Sequence, residues 1–116
     1  MATLSQIRKV GSKIGTAFDA DKVILFGSHS RGQASTDSDV DLLVVMPVQG
    51  EPYRQAAKIL SATRASFPLD VIVRSPRSVE KRLAMGDCFM RDIIEKGVVV
   101  YEAPATRGRV GRKGRG

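Results

Sequence analysis

Apolar residues recur along this chain in two rhythms, one close to helical spacing and one of short unbroken runs, and together they lay out eight elements. Leu4, Ile7, Val10, Ile14 and Phe18 keep helical spacing, as do Tyr53, Ala56, Ala57 and Leu60. Residues 4–18 and 52–65 are therefore expected to be amphipathic helices whose apolar stripes are core. Val23-Ile24-Leu25-Phe26 reads as a strand ended by Gly27, with Ser28 to Arg31 opening a short helix that Gly32 stops. Asp39 to Met46 and Leu69 to Val73 are rich in branched apolar residues and read as further strands. From Pro76, Val79 and Leu83 predict a helix that breaks near Gly86-Asp87, resumes through Phe89, Ile93 and Ile94 and stops at Gly97. Val98 to Tyr101 is the final strand. The alternation predicts an α/β (α+β) sheet of about four strands with helices packed on it. Pattern alone leaves the strand order open.

Composition bounds this picture. With 116 residues and 42% hydrophobic content, one domain with a real core is expected. No apolar run approaches the length of a membrane span, and Met-Ala-Thr-Leu-Ser-Gln lacks a signal peptide's apolar stretch, so the expected location is cytoplasmic, with no membrane partner. Cys88 is the only cysteine, which excludes an internal disulfide and a cysteine zinc cluster; it reads as a small, partly buried side chain. The formal charge is +7, yet residues 105–116 hold Arg107, Arg109, Arg112, Lys113 and Arg115 and no acid, which leaves +2 on the rest. Glycine between these cations prevents a packed core. The tail is therefore read either as a weak electrostatic contact for nucleic acid or an acidic protein surface, or as a solubilising end.

The chemistry concentrates between Gly27 and Asp41. Gly27-Ser28 is followed by ten residues and then Asp39-Val40-Asp41. A strand that turns through Gly-Ser exposes amides that suit a phosphate, and Gly27 lets the backbone approach closely. Asp39 and Asp41 have the same side-chain parity in a strand, with alpha carbons roughly 6.6 Å apart, so both carboxylates can reach one cation. Leu43 and Val45 continue that face, while Val40, Leu42 and Val44 line the other, which places the acids at a rim. Magnesium prefers one or two carboxylates together with phosphate oxygens and water. Asp70 heads another apolar strand. If that strand lies beside the Asp39 strand, three carboxylates meet at one rim, enough for the two-ion arrangement that serves nucleotidyl transfer.

Gly27-Ser28-His29-Ser30-Arg31-Gly32, followed by Ser38-Asp39-Val40-Asp41-Leu42, closely resembles the motif of minimal nucleotidyltransferases in the DNA polymerase beta superfamily. The likeness runs through Asp70 to the Gly97 to Tyr101 ending and so covers residues 1–102, leaving 103–116 as the basic Arg/Gly-rich tail. It implies a nucleotidyltransferase-like mixed sheet. It also implies that Asp39 and Asp41 bind Mg2+, that Asp70 shares the metal site and assists the attacking hydroxyl, and that Gly27 and Ser28 hold the nucleoside triphosphate. Many small members of this kind resemble antitoxins paired with a helical HEPN toxin, and some transfer AMP from ATP onto a toxin tyrosine.

Arg31 has two readings, a phosphate contact or a surface ion-pair partner. His29, the sole histidine, reads as a hydrogen-bonded bystander, and Ser30 stands where the motif more usually has alanine. Asp37 belongs to turn chemistry and is a reserve ligand. No Walker-type or Gly-x-Gly-x-x-Gly motif competes for the nucleotide. Two function classes follow: a magnesium-dependent nucleotidyltransferase acting on a protein hydroxyl, and a non-catalytic antitoxin that neutralises its partner by contact. After the core fold little chain remains for a second lobe, so base and acceptor selection are expected to draw on a partner protein or a homo- or hetero-oligomer.

Overall fold

The computed structural model describes residues 2–35 and 37–104, so the tail beyond Pro104 lies outside the described residues. Helix α1 spans Leu4–Ala17, strand β1 Lys22–Phe26, β2 Val40–Val45, α2 Pro52–Thr63, β3 Leu69–Arg74, α3 Pro76–Ala84, α4 Cys88–Lys96 and β4 Val98–Glu102. Local chemistry starts the helices. Thr3 and Gln6 close a capping box on α1, the Gln6 N–H donating to Thr3 Oγ1 at 3.1 Å and the Thr3 N–H to Gln6 Oε1 at 2.8 Å. Ser75 and Asp87 cap α3 and α4 by accepting from the Ser78 and Met90 amides.

The strands form one mixed sheet in the order β3-β2-β1-β4. β1 pairs antiparallel with β2 and with β4, and β2 pairs parallel with β3, the adjacency on which the three-acid rim depends. Two apolar clusters separate across it. Val40, Leu42 and Val44 meet Ile7 and Ile14 of α1 and Ile59 of α2 on one face, whereas Leu43 and Val45 meet Val79 of α3 and Met90 and Ile93 of α4 on the other. The two-residue period of β2 thus feeds two cores.

Three local expectations change. Residues 28–31 form consecutive turns, not a helix: Gly27 C=O accepts from the Ser30 amide, and Ser28 C=O from those of Arg31 and Gln33. Gly32, at φ +71°, bends the chain back before a second helical residue can follow. On α2 the stripe is rotated. Tyr53 is 65% and Leu60 38% exposed, while Ile59 and Thr63 are buried behind half-buried Ala56. Thr63 is tolerated in the core because its hydroxyl donates to Ile59 C=O at 2.5 Å. Cys88 is exposed, since it opens α4 on the side away from Met90. Gly97 does end α4, but with φ −71°; its missing side chain makes room for Ile24 and the Leu25 carbonyl of β1.

Helix α1 lies unusually close to β4. A side-chain carbon at Gly11 would strike Val100, and one at Gly15 would strike the Tyr101 ring. The spacing of these two glycines, one helical turn apart, was a legible signal of close approach that the apolar stripe overshadowed.

Candidate active site

The pairing register assembles the site. Phe26 on β1 lies opposite Asp41 on β2, and Asp41 lies beside Asp70 on β3, so the three form a row across neighbouring strands roughly 4.8 Å apart. The row sits at the end of the sheet face that α3 and α4 cover farther along. Asp39 precedes the first residue of β2 and is exposed, as is Asp70, whereas Asp41 is half-buried. Asp41 and Asp70 are therefore brought together by strand pairing, and Asp39 is carried next to them by the chain. Among the described residues, no three Asp, Glu, His or Cys side chains close into a metal-holding set.

The turn after β1 faces this row. Gly27 has φ +79°, a conformation that favours glycine, and a side-chain carbon there would displace the Asp41 carboxylate, an acid of the candidate site. Ser30 Oγ donates to Gly27 C=O at 2.7 Å and braces the turn. Ser28 is half-buried within it. The amides expected to suit a phosphate thus belong to a braced turn, without the dipole of a helix behind them. Arg31 is exposed and its Nε donates to Gln33 Oε1 at 3.4 Å. His29 Nδ1 lies 3.1 Å from the Asp39 carbonyl, tying the turn to the start of β2. Asp37 is exposed in the connecting loop.

Electrostatics single out Asp41. Burial first, and then the negative charges of Asp70 and Asp39, raise its carboxyl above the ordinary range; His29 opposes the rise. A half-buried carboxylate crowded by two others gains from a nearby cation. Hard oxygen donors at an open rim match the ligand preference of magnesium, so the donor set fits that ion chemically.

One neighbour escaped sequence reading. Phe89, read only as part of the helix that resumes after Gly86-Asp87, is 55% exposed and packs edge-on against Phe26, with ring centroids 5.8 Å apart. An aromatic wall therefore stands beside Asp41. Helical spacing concealed it, because Phe89 flanks the buried pair Met90 and Ile93.

A model of the nucleotidyltransferase domain matches residues 4–101. The chain belongs to the nucleotidyltransferase domain family. Two candidate protein adenylyltransferases of Methanocaldococcus jannaschii are each 32% identical to it, over 81 and 80 residues; each match covers 69% of this chain, and 77% and 78% of the respective relative. The fold is shared with a candidate nucleotidyltransferase from Sulfolobus solfataricus, at a TM-score of 0.58 and 19% identity over 85% of this chain and 79% of that one. It is also shared with a toxin-antitoxin structure containing AMP-PNP, at a TM-score of 0.50 and 21% identity over 88% of this chain and 75% of the other. As a nucleotidyltransferase, this chain has a carboxylate raised by burial and like charge, Asp41, next to the Gly27 turn. No helix among the described residues is long and apolar enough to cross a membrane.

Proposed function

We propose that this nucleotidyltransferase transfers AMP from ATP to a hydroxyl of a partner protein, such as a tyrosine of a HEPN-type toxin, and thereby acts as an antitoxin. The observation that carries the reading is the Asp41–Asp70 register beside the Gly27–Ser28 turn. Two relatives bear the name of candidate protein adenylyltransferases, and a fold neighbour is a toxin-antitoxin structure with AMP-PNP. In this reading Ser28 and the turn amides hold the triphosphate, with Arg31 within reach of it. Asp70 takes the proton of the incoming hydroxyl, whose oxygen bonds to the alpha phosphorus as the bond to the pyrophosphate oxygen breaks. Pyrophosphate leaves toward the turn. Asp39 and Asp41, with Asp70, would hold Mg2+, which when bound neutralises the triphosphate and polarises the alpha phosphorus. Cytoplasmic ATP is the expected substrate pool.

The test uses the purified full chain, magnesium, alpha-labelled ATP and the protein encoded by the neighbouring gene. Label on that neighbour, lost in Asp39→Asn with Asp41→Asn, is the expected result. Undiminished labelling by the double variant overturns the catalytic assignment. Neutralisation without label would instead favour the contact antitoxin.

A further inference from the structure

Charge on this molecule is sorted by face. Helix α1 carries Arg8, Lys9 and Lys13, α2 carries Arg54 and Lys58, and Arg64 caps the end of α2; neither helix contains an acid. All six side chains belong to exposed residues. The acids nearest in sequence are Glu51, ahead of α2, and Asp19, past the end of α1. The residues outside the tail carry +2 in all, so removing these six cations leaves −4 on everything else. By contrast α3 and α4 mix Glu80, Asp92 and Glu95 with their cations. The ion pairs shown among the described residues, Lys22–Glu102, Arg82–Asp87 and Lys96–Asp92, lie elsewhere.

The two helices form one surface. Both cover the same sheet face, and Lys13 Nζ donates to the Thr63 carbonyl at 3.2 Å, joining them. A shallow depression on α1 sets Arg8 and Lys9 among the hydroxyl residues Ser5 and Ser12. On the first turn of α2, Tyr53 is 65% exposed, and the Arg54 guanidinium lies 5.6 Å from its ring centre. Cations with hydroxyls suit phosphate oxygens, and an exposed ring beside them offers a face on which a base can stack. Protein interfaces are depleted of lysine and of charge at their core, whereas on this surface six cations stand among the few exposed apolar residues Leu4, Tyr53 and Leu60. It lies across the sheet from Asp41 and Asp70, and the five tail cations continue the same sign in sequence.

We propose that the outer face of α1 and α2 binds single-stranded nucleic acid, its six cations on the phosphates and Tyr53 against a base. Binding there is independent of the acceptor proposed above, because it uses the opposite side of the sheet.

The experiment measures binding of a labelled 20-nucleotide single-stranded RNA by the full chain across a salt series, starting at about 50 mM. Arg8→Gln with Lys9→Gln and Lys58→Gln removes three charges from the face. Arg77→Gln with Lys81→Gln and Arg91→Gln removes three from the other side and leaves the tail unchanged. The face variant is expected to bind about ten-fold more weakly, with a salt slope smaller by about 2, while the other variant stays within about three-fold. Equal weakening in both, no weakening in either, no binding by the unaltered chain at the lowest salt, or equal competition by polyglutamate of matched charge would each overturn the site. Crosslinking of thiouridine-containing RNA to the unaltered chain gives a second reading: adducts in residues 4–17 and 52–64 support it, and adducts confined to other segments refute it.

Discussion

Across one sheet, the side covered by α1 and α2 buries Ile7, Ile14 and Ile59 and shows solvent a row of unmixed cations, whereas the side covered by α3 and α4 leaves Phe26, Asp41 and Asp70 at an open rim. Both sides are made from the same strands. The alternation of β2 sends Val40, Leu42 and Val44 one way and Asp41, Leu43 and Val45 the other, so a two-residue period sorts core from site. The difference lies in where helix cover ends. On the acidic side cover stops short of the rim, which leaves Asp41 half-buried among like charges, and a position of that kind is where carboxylate chemistry can be tuned. On the basic side α1 seals the sheet through Gly11 and Gly15, and function, where present, is confined to the outer surface.

The sharpest way to separate the two sides is to change each alone. Asp41→Asn should lower adenylyl transfer by roughly 10³-fold if the proposed function holds, because that reading has Asp41 hold the cation that offsets transition-state charge. The triple glutamine variant of Arg8, Lys9 and Lys58 should leave that rate within about two-fold while weakening RNA binding. Loss of transfer in the basic-face variant would show that the sheet does not insulate the two surfaces.

Two glycines probe the same rim. Gly27→Ala meets both a positive φ and the Asp41 carboxylate, whereas Gly32→Ala meets a positive φ with open space around it. Each should lose about 1–2 kcal/mol of stability from left-handed backbone alone. Transfer activity should fall much further for Gly27→Ala, by roughly 10²-fold, since displaced geometry at the reacting centre is costly. Equal activities in the two variants would detach Gly27 from the site. On the basic side, Gly15→Ala gains up to about 1 kcal/mol of helix propensity but forces a carbon into Tyr101, an overpacking that costs about 1–3 kcal/mol. Overpacking should win, and the midpoint of thermal unfolding should fall by about 4–8 °C per kcal/mol lost.

The sequence made the strands legible, because Val23 to Phe26, Val40 to Val45 and Leu69 to Arg74 are bounded by turn residues and leave no rival period. The acid pair and Asp70 were legible as candidates, but their meeting depended on β2–β3 pairing, which no periodicity encodes. Misreadings came from residues whose size outvoted their position. Tyr53 and Leu60 drew the α2 stripe away from Ile59 and Thr63, and the α4 pattern through Phe89 and Ile94 passed over Met90, which with Ile93 fills the core. The turn at Ser28 to Arg31 was hidden because a helix and a run of turns begin with the same residues; only the hydrogen bonds from Ser30, Arg31 and Gln33 distinguish them.

The smallest effect tests the electrostatic half of the comparison within the α3 and α4 side alone. Asp41 has a raised carboxyl, through burial first and then Asp70 and Asp39, whereas Asp87 has a lowered one, held down first by the Met90 N–H and also by the Arg82 guanidinium. For Asp41 the folded state binds its proton more tightly than the unfolded state. Stability therefore falls as pH rises from the unfolded carboxyl value through the folded one, and the loss persists at neutral pH. For Asp87 the sign reverses: its contribution is present above the unfolded value and disappears as pH falls through the folded one. Asp41→Asn should thus raise the unfolding midpoint at pH 7 without added cation, and the gain should vanish when the pH is lowered below the carboxylate range. Asp87→Asn keeps a competent cap yet should lower the midpoint at pH 7, again with the difference closing in acid. Added magnesium should stabilise the unaltered chain at pH 7 and narrow its gap to Asp41→Asn, because a bound cation offsets the repulsion that the substitution removes. A midpoint for Asp41→Asn below that of the unaltered chain at pH 7 would mean that Asp41 is held by partners other than its two acidic neighbours, and the rim would then be a structural charge cluster instead of a site waiting for a cation.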